Sequence, residues 1–142
     1  MTNKIDGTSL FLLVLVWQAA IGQQLPLEHR VISGEEAYTL VSKALETSGA
    51  TKLPGFALEQ PRKRNSQTFL FFEATWDNPK GSVVIGHYAV DKKTGDVWNA
   101  IVCEELTSAR LKQLQRTIRK RIGLSEEEYR KLRRRGPMCE TP

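Results

Sequence analysis

The feature that most narrows the fold of this chain is a change of hydrophobic period between its first and middle thirds. Ala37, Leu40, Val41, Ala44 and Leu45 follow the i, i+3, i+4, i+7, i+8 spacing of a helix with one buried face. Ser33 and Glu36 form a capping box at its start, and Gly49 supplies a stop. From Thr68 the period falls to two. Leu70, Phe72, Ala74 and Trp76 share one face of a strand ending at Trp76. Val83 to Val90 forms another, with Val84, Gly86, Tyr88 and Val90 on one side and Val83, Ile85, His87 and Ala89 on the other. A helix with one apolar stripe needs a surface to cover, and a sheet this rich in aromatic residues supplies one.

The connections favour antiparallel pairing. Asp77-Asn78-Pro79-Lys80-Gly81 and Asp91-Lys92-Lys93-Thr94-Gly95 are short runs of turn residues, with Gly95 free to adopt a positive φ, and Val97 to Cys103 runs back. Leu53 to Glu59 reads as a short first strand, followed by the polar link Pro61-Arg62-Lys63-Arg64-Asn65-Ser66. The last third returns to helix: Leu111, Leu114, Ile118 and Ile122 make a stripe capped by Thr107 or Ser108 and stopped by Gly123. Ser125 with Glu128 is a second capping box, opening a shorter helix with Tyr129 and Leu132 inward that ends before Gly136-Pro137. The expected architecture is α+β: an N-terminal helix packed on a three- or four-stranded antiparallel meander, followed by two C-terminal helices.

Lys4 precedes an apolar run, Leu10 to Trp17, that gives way to Ala19-Ala20-Ile21-Gly22. That layout predicts a signal peptide over residues 1–22, a cut before Gln23 and a single domain over 23–142, secreted or periplasmic. The alternative is an uncleaved N-terminal membrane anchor. Cys103 and Cys139 both fall in the expected mature part, and an even count in an exported chain points to a disulfide between them rather than to a metal site or a nucleophile. Such a bridge would add about 3–4 kcal/mol in the chain-entropy treatment.

The net charge of +5 is concentrated near the end: residues 110 to 135 hold eleven Lys or Arg against Glu126, Glu127 and Glu128. This makes residues 107–135 a basic helical pair, with Arg116, Arg119, Lys120, Arg133 and Arg134 as candidate contacts to anionic lipid or wall polymer. Nucleic acid is not the expected partner of an exported chain. A solvated helical face is the alternative reading of the same charges.

Catalysis finds little to build on. His29 and His87 are too few for a histidine metal site, and there is neither a phosphate loop nor a nucleophile elbow. His87 and Cys103 on neighbouring strands are the one base–nucleophile combination, without an orienting or oxyanion group beside them. No catalytic residue, metal or cofactor is therefore expected. Trp76 and Trp98 are candidates either for stacking on a ligand or for the core.

The segment Glu35-Glu36-Ala37-Tyr38-Thr39-Leu40, followed by Gly86-His87-Tyr88-Ala89-Val90-Asp91-Lys92-Lys93-Thr94-Gly95-Asp96-Val97-Trp98, resembles the PepSY domain over roughly residues 33–100. The resemblance implies an exported or envelope domain, a helix on an antiparallel sheet, that restrains peptidases by binding and has no catalytic residues. The basic link Arg62-Lys63-Arg64 and the C-terminal helices with their cysteine pair depart from that pattern, and a cystatin-like fold has the same order of elements. The expected function is a non-catalytic envelope binding module that engages a protein or peptide through an open sheet face, with His87, Trp76 and Trp98 as contacts. The alternative is an electrostatic adaptor holding anionic membrane or wall polymer through the basic helices. Which sheet face the C-terminal helices cover is left open by the pattern.

Overall fold

The computed structural model describes residues 31–61 and 66–133. Helix α1, Gly34–Ser48, starts at the expected capping box: the Ser33 hydroxyl accepts from the Glu36 N–H at 3.2 Å, and the Glu36 carboxylate accepts from the Ser33 N–H at 3.0 Å. Gly49 ends it with φ 78°, a conformation open to glycine at little cost. A 3-10 turn, Ala50–Lys52, leads into a five-stranded antiparallel sheet in sequence order: β1 Ala57–Glu59, β2 Phe69–Asn78, β3 Gly81–Asp91, β4 Val97–Asn99 and β5 Glu104–Leu106. Helices α2, Ala109–Arg121, and α3, Glu126–Leu132, complete the α+β arrangement.

Several strand boundaries differ from the expectation: β2 runs on to Asn78 and β3 spans Gly81 to Asp91, which shortens the turn between them to Pro79-Lys80. The first strand begins at Ala57 rather than Leu53, because the chain bends through Pro54 and Gly55, the latter at φ 59°. The segment Val97 to Cys103 is not one strand. The Asn99 carboxamide oxygen accepts from the Ile101 N–H at 3.0 Å, Cys103 takes φ 57°, and the chain folds back as β5, one strand more than the meander expected.

The core sits between the helices and a single face of the sheet. Leu70, Phe72, Ala74, Tyr88, Val90 and Val97 from the strands meet Leu40, Val41 and Leu45 of α1, and Leu111 and Ile118 of α2 with Ile122 join the same cluster. Both long helices therefore cover one side. The opposite side carries Phe71, Glu73, His87, Ala89 and Trp98, and its two buried apolar residues, Phe69 and Ala89, stand outside that cluster.

A β-bulge corrects the expected face assignment of β3. Ala74 lies opposite Gly86 but Thr75 opposite Val84, so Ile85 is an extra residue on β3. One inserted residue reverses the parity of everything beyond it. Val83 consequently lies opposite Trp76, on the helix side, and Val84 opposite Thr75 on the other. Gly86 makes room beside the bulge, since a Cβ there would meet the Tyr88 hydroxyl at 2.8 Å and the buried ring would have to shift.

Candidate interaction surface

The most heavily bonded polar feature is the turn between β3 and β4 and its grip by α2. Asp91 Oδ1 accepts from the N–H groups of Lys93 at 2.7 Å and Thr94 at 2.9 Å, and Gly95, at φ 72°, donates to the Asp91 carbonyl at 2.9 Å. The turn exposes carbonyls toward α2, which answers with two side chains one helical turn apart. Gln115 Nε2 donates to the Gly95 carbonyl at 2.9 Å, and Arg119 Nε to the Thr94 carbonyl at 2.7 Å. Arg119 Nη2 also donates to Asp96 Oδ1 at 2.9 Å, Tyr129 of α3 donates to the same oxygen at 3.2 Å, and the guanidinium lies 3.6 Å from the Tyr129 ring centroid.

Arg119 was expected among the exposed candidate cations; it is instead a buried strut, 8% exposed, with Asp96 at 2%. The reason is helical geometry. Arg119 shares with Leu111, Gln115, Ile118 and Ile122 the side of α2 that faces the core, and a charge count along the sequence does not resolve that side from the solvated one. Burial pushes the Asp96 carboxyl above its ordinary range, an effect that Arg119, Thr94 and Tyr129 offset only in part.

Burial, reinforced by the Asp96 charge, likewise raises the Tyr129 phenol. A raised phenol contributes stability that is fully present below the unfolded value of about 10 and is lost as pH rises through the folded value. Tyr129→Phe is therefore expected to lose less stability than the wild type as pH is raised above about 10 in guanidinium unfolding. Equal losses would place Tyr129 outside the network.

The remaining basic side chains divide into tied and open ones. Arg121 makes two 2.8 Å bonds to the Glu36 carboxylate, joining α2 to α1, and Arg133 Nη2 lies 3.1 Å from Glu105 Oε2 of β5. Lys112, Arg116 and Lys120 are exposed at successive i, i+4 positions of α2. A cleft of about 300 Å³ lies between α2, α3 and β5, lined by Glu105, Lys112, Gln115, Arg116, Arg119, Glu126, Tyr129 and Arg133.

On the sheet side away from α1, Phe71, Ala89, Trp98 and Glu105 form one cross-strand row, and Glu73 faces His87 in the next, with Oε2 3.3 Å from Nδ1. Phe71 and Trp98 are half-buried. Glu105 ends the row at the sheet edge and, through Arg133, borders the cleft. Trp76 does not join His87 and Trp98: two residues beyond Ala74, it stands on the helix side of β2, opposite Val83. Of the expected contacts, the fold thus groups His87 with Trp98, and Arg116 with Arg119 and Arg133 at the cleft.

Cys103 lies in the turn before β5. Residues 1–22, Arg62 to Arg64, Arg134 and Cys139 lie outside the described residues, so the signal peptide and the disulfide remain sequence expectations. Among the described residues no group of three or more His, Cys, Asp or Glu could hold a metal ion, and no helix is long and apolar enough to cross a membrane. Sequence reasoning passed over Gln115, Lys112, Glu105 and Tyr129's bond to Asp96. The i, i+4 pair Gln115 and Arg119, interrupting an apolar stripe, was the available signal for the first of these.

No family model matches the chain, and no curated protein sequence matches it. A solved structure shares the fold. It is a chain in the structure of a type VI secretion system effector-immunity complex from Pseudomonas protegens, 25% identical, with a TM-score of 0.61. The likeness covers 73% of this chain and 88% of that chain, so it extends over most of both rather than over one hairpin.

Proposed function

We propose that this chain is a non-catalytic, exported protein-binding module of the effector-immunity kind, which holds a partner protein against the sheet face that its helices leave uncovered. The observation that carries this reading is the likeness to a chain of an effector-immunity complex over 73% of this chain. The face itself supports it. Phe71 and Trp98 offer aromatic anchors, and the Glu73–His87 pair and Glu105 offer a polar border, a composition typical of protein interfaces. The PepSY resemblance points to the same class of role, restraint of another protein by binding, and makes a peptidase the narrower form of the partner. The signal-peptide pattern of residues 1–22 and the Cys103–Cys139 pair agree with a periplasmic or secreted setting. A second reading, adhesion to anionic membrane or polymer, rests on the exposed row Lys112, Arg116 and Lys120.

The test is to crosslink the exported, C-terminally tagged chain in its own cells, identify the bound protein by mass spectrometry, and rebuild the complex from purified components. A stoichiometric complex is expected, weakened about tenfold or more by Phe71→Ala or Trp98→Ala. A complex indifferent to both substitutions, or recovery of lipid without protein, would refute the reading. Intact mass of the same preparation, expected to start at Gln23 with thiols alkylated only after reduction, checks export and the disulfide together.

A further inference from the structure

We infer that the cleft between α2 and α3 is a second contact site, built to receive carboxylate side chains from an acidic segment of the partner protein; this rests on the partner-binding reading above. Helix α2 carries six Lys or Arg and no acidic residue. Arg119 is tied to Asp96, Arg121 to Glu36, and Arg110 lies within electrostatic reach of Glu46. That leaves Lys112, Arg116 and Lys120, which form no ion pair among the described residues. Like charges at i, i+4 destabilise a helix, and an anion seated between them removes that repulsion.

Two of the three, Lys112 and Arg116, open onto the cleft. Behind them Gln115, Arg119 and Tyr129 are already fixed by bonds to Gly95, Thr94 and Asp96, so the back wall is set before anything binds. Arg116 brings a planar fork suited to a carboxylate and Lys112 a mobile point charge, and a volume of about 300 Å³ is at the small end of binding pockets. It suits one or two side chains rather than a large ligand. The mixed rim decides between an acidic protein and a uniformly anionic membrane or polymer. Glu126 stands on the same cleft beside Glu105, whose charge Arg133 balances, and it repels a continuous negative surface, whereas carboxylates placed singly on a protein can meet the cations and avoid it. Arg and Tyr are also residues that protein interfaces favour.

The experiment uses the full exported chain and three probes: a fluorescein-labelled peptide alternating glutamate and alanine, its glutamine counterpart, and vesicles of phosphatidylglycerol with phosphatidylcholine. Anisotropy is expected to show binding of the glutamate peptide alone, weakening as salt rises from about 20 mM to about 150 mM. The Lys112→Glu/Arg116→Glu double variant is expected to bind at least tenfold more weakly, while Lys52→Glu/Lys80→Glu, with the same change of net charge, binds as the wild type does. All four sites are exposed, and circular dichroism verifies the fold. Equal weakening by both double variants, or binding of the vesicles but not of the peptide, would overturn the inference. Applied to the rebuilt partner complex, an unchanged affinity for Lys112→Glu/Arg116→Glu overturns the cleft and leaves the sheet-face reading intact. A complex that fails only on Phe71→Ala and Trp98→Ala does the same.

Discussion

Alanine in place of Phe72 is expected to lower the free energy of unfolding by about 3–5 kcal/mol, read from urea denaturation with an unchanged m-value. Phe72 is 1% exposed and belongs to the face of β2 that meets the helices. Tyr88 lies opposite it on β3, and the Tyr38 ring of α1 meets it edge-on at 6.4 Å between centroids. Truncation removes the transfer energy of the ring and leaves a cavity between a sheet and a helix that are each held by other contacts, so the space cannot close fully. Since a domain of this size is stable by only about 5–15 kcal/mol, the variant would be near the limit of folding. Phe72→Leu, retaining much of the volume, is expected to cost about 1.5 kcal/mol and keeps the measurement possible if the alanine variant does not fold. A loss below about 1 kcal/mol for Phe72→Ala would mean that α1 does not pack on this strand.

Arg119→Ala is expected to cost about 3–5 kcal/mol, as does removal of one partner from other buried ion pairs. The substitution leaves the Asp96 carboxylate 2% exposed without its cation, and takes the donor from the Thr94 carbonyl. The cost comes chiefly from what is stranded rather than from the attraction itself. The double variant Asp96→Asn/Arg119→Met is accordingly expected to be less destabilised than the sum of its single changes by more than about 1 kcal/mol. Additive effects would show that the two side chains do not act as a pair. Because Tyr129 rests on the Arg119 guanidinium, the same change also removes the wall on which the cleft depends.

Several parts of the fold were legible because local chemistry decides them. The capping boxes at Ser33 and Ser125 and the Ser108 cap appear where the spacing places them, since each is an interaction across three residues. The turn from Asp91 to Gly95 was legible for the same reason: one carboxylate caps two N–H groups and one glycine takes the positive φ. The bulge at Ile85 was not legible. An alternation of apolar residues on both faces, as in Val83 to Val90, gives no parity cue for where a residue is inserted, and the choice rests on pairing with β2 and on the room that Gly86 leaves for Tyr88.

For the candidate surface, residue types were visible and their grouping was not. His87 and Trp98 come together because strand register aligns their rows, while Trp76, of equal promise in the sequence, is carried to the other face by its parity. Arg119 and Arg116 read alike as charges in a basic run, yet a step of three residues leaves one side chain about 60° from the other around the helix axis. Against a neighbouring turn of chain it separates a side chain that binds carbonyls from one that meets water.

The sequence by itself determined the α+β class, the order of helix, meander and helices, the caps and the basic character of the C-terminal pair, all of which follow from periodicity and short-range bonding. Only the tertiary structure decided that both long helices cover the same face, leaving the other without a helix among the described residues, and that Gln115 and Arg119 grip the β3–β4 turn while Lys112 and Arg116 line a cleft. Those outcomes depend on contacts between residues some twenty or more positions apart, where the balance of burial against desolvation is set by which surfaces meet, and no local pattern records that.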